Sequence, residues 1–165
     1  MKTILVVAIA ILNLTACSSL YNPIPEGYSG PTAKVSDSAI YEDSMKQQFF
    51  ILESVDGKTI NNSIIATRSA SYGKGAYLNP RYESRLVQAR PMRVKIIATH
   101  ITGAPIHEIA SRALGTFFSV EGEVDFKPLP GGSYTIRGEL KKNASSVWIE
   151  DDSTKEMATE KITQK

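Results

Sequence analysis

Residues 116–126 read Thr-Phe-Phe-Ser-Val-Glu-Gly-Glu-Val-Asp-Phe. Phe118, Val120, Gly122, Val124 and Phe126 alternate with Ser119, Glu121, Glu123 and Asp125. A period of two sends one set into a core and the other into water, as in a half-buried antiparallel strand. A glycine inside such a strand marks a bend or bulge, expected here at Gly122. A Pro128-Leu129-Pro130-Gly131-Gly132 turn follows, and residues 133–140 alternate again with Tyr134, Ile136 and Leu140 on the inner side. The reading predicts that these two strands form a hairpin.

Similar segments lie on either side. Residues 47–55, QQFFILESV, are aromatic and β-branched and end at Asp56-Gly57, a hairpin turn signal. Residues 58–65 are expected to return from that turn as a strand. Residues 32–37 and 83–89 are further strands, the second stopped by Arg90-Pro91. In residues 92–101, Met92, Val94, Ile96 and Ala98 share one face, while Ile97 and Ile101 join Arg93 and Lys95 on the other. That strand is expected to be covered on both faces near its end. Residues 69–79 hold Gly73 and Gly75 and read as a loop. Residues 146–150, with the single Trp148, and 158–163 complete the strands. The one helical candidate is 105–114: Pro105 suits a first turn, Ile106, Ile109, Ala110 and Ala113 share a face, and Gly115 can end it. The expected fold is mainly β, an antiparallel β-sandwich or partly open barrel with at most one short helix near 105–114.

The chain of 165 residues begins MKTILVVAIAILNLTACSSL. Lys2, an apolar run too short to span a bilayer, and Leu14-Thr15-Ala16-Cys17 resemble a bacterial lipoprotein signal with its lipobox. The resemblance implies cleavage before Cys17, diacylglycerol on its sulfur and an acyl chain on its new amino group. Ser18, by similarity to the sorting rule of enteric-type bacteria, implies the outer membrane, with the mature domain in the periplasm. The expected organisation is a signal peptide at 1–16, a lipidated Cys17 with a Pro/Gly-rich tether at 17–31, and one β-rich domain at 32–165. Tyr21 and Tyr28 in the tether either pack onto the domain or sit at the membrane interface.

Composition narrows the chemistry. Lys and Arg number 19 against 17 Asp and Glu, and Lys2 is the only charge in the leader. A near-neutral domain gives no electrostatic reason to bind nucleic acid. Cys17 is the only cysteine, so once it is lipidated there is no thiol for a disulfide, a nucleophile or a metal. His100 and His107 straddle Gly103 and Pro105 outside any metal-binding motif, and read as a strand-end and a helix-face residue. Ser71-Tyr72-Gly73-Lys74 matches S-x-x-K, yet Gly73 and Gly75 break the helix that this chemistry needs. Glu121, Glu123 and Asp125 form a carboxylate row that reads as the wet face of a strand, neutralised by Arg137 and Lys141. No catalytic residue, metal site or cofactor is assigned.

Residues 68–95 carry seven basic side chains and one acid, Glu83. Arg85, Arg90 and Arg93 are the candidates for docking an acidic or phosphate-bearing partner; the alternative is a set of solvated strand faces paired with acids elsewhere. Phe117 is a further candidate, because it faces outward if Phe118 faces the core, unless a helix covers it. Trp148, Tyr134, Phe117 and Phe118 form either a stacking patch or part of the core.

Tyr28-Ser29-Gly30-Pro31, Phe49-Phe50, Val55-Asp56-Gly57-Lys58, Gly115-Thr116-Phe117-Phe118, Tyr134-Thr135-Ile136-Arg137-Gly138 and Val147-Trp148-Ile149-Glu150-Asp151 together resemble a family of uncharacterised proteobacterial outer-membrane lipoproteins. The resemblance implies the anchor and a β-rich fold and brings no substrate, cofactor or catalytic residue. The expected function is a lipid-anchored binding or assembly module of the cell envelope. Its partners are the membrane, through the lipid, and an envelope protein or anionic envelope component. A small hydrolase acting on wall or lipid, and a purely structural lipoprotein, are the alternatives.

Overall fold

The computed structural model describes residues 20–164, so Cys17 and the leader lie outside the described residues. In chain order the elements are β1 (Thr32–Ser36), β2 (Ser38–Tyr41), β3 (Lys46–Val55), β4 (Lys58–Thr59), α1 (Ser63–Ser71), β5 (Ser84–Gln88), β6 (Met92–Thr102), α2 (Pro105–Ala113), β7 (Ser119–Phe126), β8 (Ser133–Glu139), β9 (Ser146–Asp151) and β10 (Ile162–Thr163). One sheet runs β10-β9-β8-β1-β5 and the other β2-β3-β6-β7, with β4 beside β3. Among the described strands only β1 and β8 pair in parallel, and an isolated parallel bridge joins Tyr21 to Ile60. The sheets do not close into a barrel; they form a β-sandwich.

The apolar run of β3 is continuous because the strand is buried on both faces. Phe50 and Leu52 enter the core between the sheets with Val35, Ile96, Ile136 and Ile149. Phe49 and Ile51 point the other way, into a second cluster with Ile64 and Ile101, on the outer face of the β3–β6 sheet. Ile97 packs against that second cluster, so the two-sided burial expected for β6 is present.

Four expectations need correction. First, β7 and β8 do not form a hairpin. β7 pairs with β6, and β8 pairs with β9 and β1. The 128–132 turn carries the chain from one sheet to the other, and the inner faces of the two strands meet across the core, with Phe126 edge-on to Tyr134 at 5.0 Å. Leu129 N–H donates to the Tyr134 hydroxyl at 2.9 Å, holding the turn. Second, Gly122 is not a bulge: the β6–β7 register runs through it unbroken. It is small because Ile162 of β10 packs onto it. The irregularity lies in β3, between Leu52 and Ser54.

Third, the return after Asp56-Gly57 stops at β4, and a second helix follows. The turn itself is as read, with φ of 49° and 73° at its two residues. Asn62 then ends the extended chain: its Oδ1 accepts N–H groups of Ile64 and Ile65, both at 3.1 Å. That N-cap starts α1 despite the β-branched residues that follow. Asn62→Ala is expected to cost about 1–2 kcal/mol, because the cap is buried, and to lower the urea midpoint without changing the slope. Fourth, the fold therefore holds two helices among the described residues, not one.

Part of the segment read as a tether is docked. Tyr21 N–H donates to the Thr59 carbonyl at 2.8 Å, its ring lies 4.7 Å below the Lys58 ammonium, and Pro23 is buried. For Tyr21 the packed alternative holds.

Candidate functional site

The outer face of the β3–β6 sheet is where the two helices sit. Ile51, Ile97 and Ile101 lie between α1 and α2 and floor a cleft of about 310 Å³. Ile64 and Arg68 of α1 form one wall; Glu108 and Arg112 of α2, with Phe117, form the other. Past Arg68, Ile101 and Glu108 the cleft opens into a second hollow of about 410 Å³ under residues 72–75. Its far side is Gly103, where a side chain would collide with the Ala76 carbonyl.

The walls are polar and ordered. Glu108 accepts from Arg112 Nε at 3.0 Å and Nη2 at 2.8 Å. The Arg112 guanidinium lies 3.9 Å from the centre of the Phe117 ring. Phe117, a sequence candidate for an exposed partner contact, is thus half-covered by α2, as its alternative reading allowed.

His100 stands behind Phe117, with ring centres 5.6 Å apart, and is buried. Its Nδ1 lies 3.0 Å from the Phe118 backbone nitrogen and 3.2 Å from the Phe118 carbonyl oxygen, and its Nε2 lies 2.9 Å from Glu42 Oε1. Both nitrogens are occupied by structural partners. Burial pushes the Glu42 pKa up, but the Gln48 hydrogen bond, His100 and Lys46 outweigh it and hold the carboxyl below its ordinary value. His107 sits on α2, away from this network, and among the described residues no group of three His, Cys, Asp or Glu is placed to hold a metal ion. Ser71 closes α1 and its hydroxyl accepts from Asn79 N–H at 2.8 Å; among the described residues no hydrogen bond joins it to the Lys74 side chain.

The basic candidates separate. Arg85 is drawn inward, its side chain 11% exposed. Its Nη1 and Nη2 each lie 2.7 Å from an Asp37 oxygen, and the Asp37 side chain is 0% exposed. Arg90 pairs with Asp56 at 2.6 Å. That hydrogen bond chiefly, helped by the Arg93 backbone, holds the Asp56 carboxyl below its ordinary value against the opposing effect of burial. Arg93 pairs with Glu123 at 3.3 Å and Asp125 at 3.1 Å. Lys95 completes the row with Glu121 at 3.2 Å. The carboxylates of β7 are thus neutralised by β6, not by Arg137, which pairs with Glu150 on β9. These arginines do not share a surface with Phe117, which lies at the opposite end of β6 from Arg93.

Trp148 lies under the Lys161 ammonium, 4.5 Å from its ring centre, on the sheet opposite Phe117. Tyr134 is in the core, so the four aromatic residues make no single patch. Arg68, Glu108 and Arg112, the charged walls of the cleft, were not singled out in the sequence as a site. The 105–114 helix signal located two of them; nothing local places Arg68 opposite. In comparisons with known proteins, no protein family, no curated protein and no solved structure matches the chain.

Proposed function

We propose that the protein is a lipid-anchored envelope lipoprotein, held by Cys17 at the outer membrane with its domain in the periplasm, and that it acts as a binding module. The observation that carries the binding role is the cleft between α1 and α2. It has an apolar floor and ionic walls, the usual composition of a site that buries part of a ligand and orients the rest. The lipobox at Leu14–Cys17 supports the anchor. An anchored module gains effective concentration toward anything else on the same membrane. The lining is apolar at the floor and mixed in charge at the walls, with Arg68 and Arg112 among Glu53, Glu108 and Glu121, which favours an occupant with an apolar body and a polar end.

Crosslinking in cells followed by affinity capture of the full chain tests this, with Cys17→Ala and Ser119→Trp as the two variants. Ser119 lines the cleft and is exposed, so a Trp there fills the space without entering the core. The expected result is a bound envelope component reduced at least tenfold by Ser119→Trp, with the melting temperature unchanged, and lost in Cys17→Ala. Equal capture by Ser119→Trp overturns the cleft as the binding site.

A further inference from the structure

Helix α2 is mounted with its apolar side outward. Ile106 is 65% exposed, Ile109 63% and Leu114, at its C-cap, 78%. Ala110 and Ala113 are exposed on the same side. Glu108 and Arg112 face the cleft instead. An amphipathic surface helix normally buries the first set and wets the second. We infer that the outward face of α2 is a second membrane contact, which lays the outer face of the β3–β6 sheet on a bilayer.

Three features favour lipid over a protein partner. The outward apolar face belongs to one nine-residue helix, a small patch beside the ~800 Å² that each partner of a stable protein interface contributes; shallow insertion into a headgroup region uses just such a face. The carboxylates beside the cleft are matched by Lys95 and Arg112, whereas Arg68 and Lys74 have no acidic partner among the described residues and are left to meet anionic headgroups. Tyr72, 90% exposed in the loop across from Pro105, adds the ring type that settles at membrane interfaces.

The geometry of the chain agrees, resting here on the anchored reading above. The body takes hold at Tyr21, beside Thr59 at the Val55 end of β3. Cys17 lies four residues earlier in the sequence, a reach of at most about 14 Å. α2 follows Thr102, opposite Lys46, at the other end of a strand about 30 Å long. The anchor thus lies toward one end of the β3–β6 sheet and α2 at the other, and the four residues before Tyr21 give Cys17 the reach to meet a bilayer laid along the outer face. The cleft between the helices opens toward it.

The test uses the full, lipidated chain carrying Ile109→Cys, labelled with an environment-sensitive fluorophore. It is placed on vesicles of phosphatidylethanolamine and phosphatidylglycerol, with Lys34→Cys on the other sheet as the reference. The expected result is a blue-shifted probe at 109, quenched several-fold by brominated acyl chains, while the probe at 34 stays as in water. A probe at 109 that a water-soluble quencher reaches equally on vesicles and in solution overturns the inference. Shielding that occurs only in native membranes, and not on protein-free vesicles, also overturns it and assigns α2 to a protein partner. The anchor is read separately: the native chain, whose only cysteine is Cys17, takes up no label when that sulfur is acylated.

Discussion

Arg85→Ala is expected to lower stability by about 3–5 kcal/mol, because it leaves a buried carboxylate without its counter-ion. Asp37 sits between β1 and β2, where the chain passes from one sheet to the other. Its Oδ1 accepts from Leu52 N–H at 3.0 Å and its Oδ2 from Ser63 N–H and Oγ–H, both at 2.8 Å. The Arg85 fork closes the remaining positions. One carboxylate thereby joins β3, the start of α1, and β5. For a domain of this size the loss corresponds to a fall in melting temperature of roughly 10 °C or more. Arg90→Ala, which removes an exposed pair, is expected to cost less than about 1 kcal/mol. Thermal melts of both variants check the contrast. The double variant Asp37→Asn with Arg85→Met should recover part of the loss, since it removes the stranded charge but leaves the amide nitrogen facing a backbone N–H of Leu52 or Ser63. A loss in Arg85→Ala as small as in Arg90→Ala would show that Asp37 is not electrostatically dependent on Arg85. Where the large loss is found, a binding defect of Arg85→Ala is a folding defect and not evidence of a docking surface.

Phe49→Ala is expected to cost about 3–5 kcal/mol, the range for truncating a buried ring. Phe49 is 0% exposed and belongs to the outer cluster, not to the core between the sheets. Its ring lies 6.2 Å from Tyr82 and shares the cluster with Ile64 of α1. A helix of nine residues has too little intrinsic stability to persist without such packing. The loss should therefore be uneven. Amide exchange across 65–71 is expected to rise toward the unfolded rate while β8 and β9 remain protected. If all amides lose protection together, the outer layer and the sandwich unfold as one unit. Phe49→Leu should retain most of the protection.

The elements that were legible in the sequence are those set by local pattern. The alternation in β7 and β8, the two-faced burial of β6, the Asp56-Gly57 turn and α2 each follow from residues a few positions apart. The N-cap at Asn62 was also present in the sequence, but the Ile64-Ile65 pair read as strand because β-branched residues fit both structures. The site was much less legible. Arg68 and Glu108 meet across the cleft only because β5 and β6 return the chain to the same sheet face.

Period and turn chemistry in the amino-acid sequence were enough for a mainly β domain with its strands near their true positions, since a side chain's alternation depends only on its neighbours. Which strands became partners was settled in three dimensions. β7 lies beside β6 because Val120, Val124 and Phe126 join Val94, Ile96 and Ala98 in the core, and Lys95 and Arg93 then oppose its carboxylates from about thirty positions away. The fate of the basic side chains was settled there too: Arg85 was withdrawn by Asp37, 48 residues away. So was the outward mounting of α2, because a helix's own sequence defines its two faces but not which of them the rest of the fold will cover.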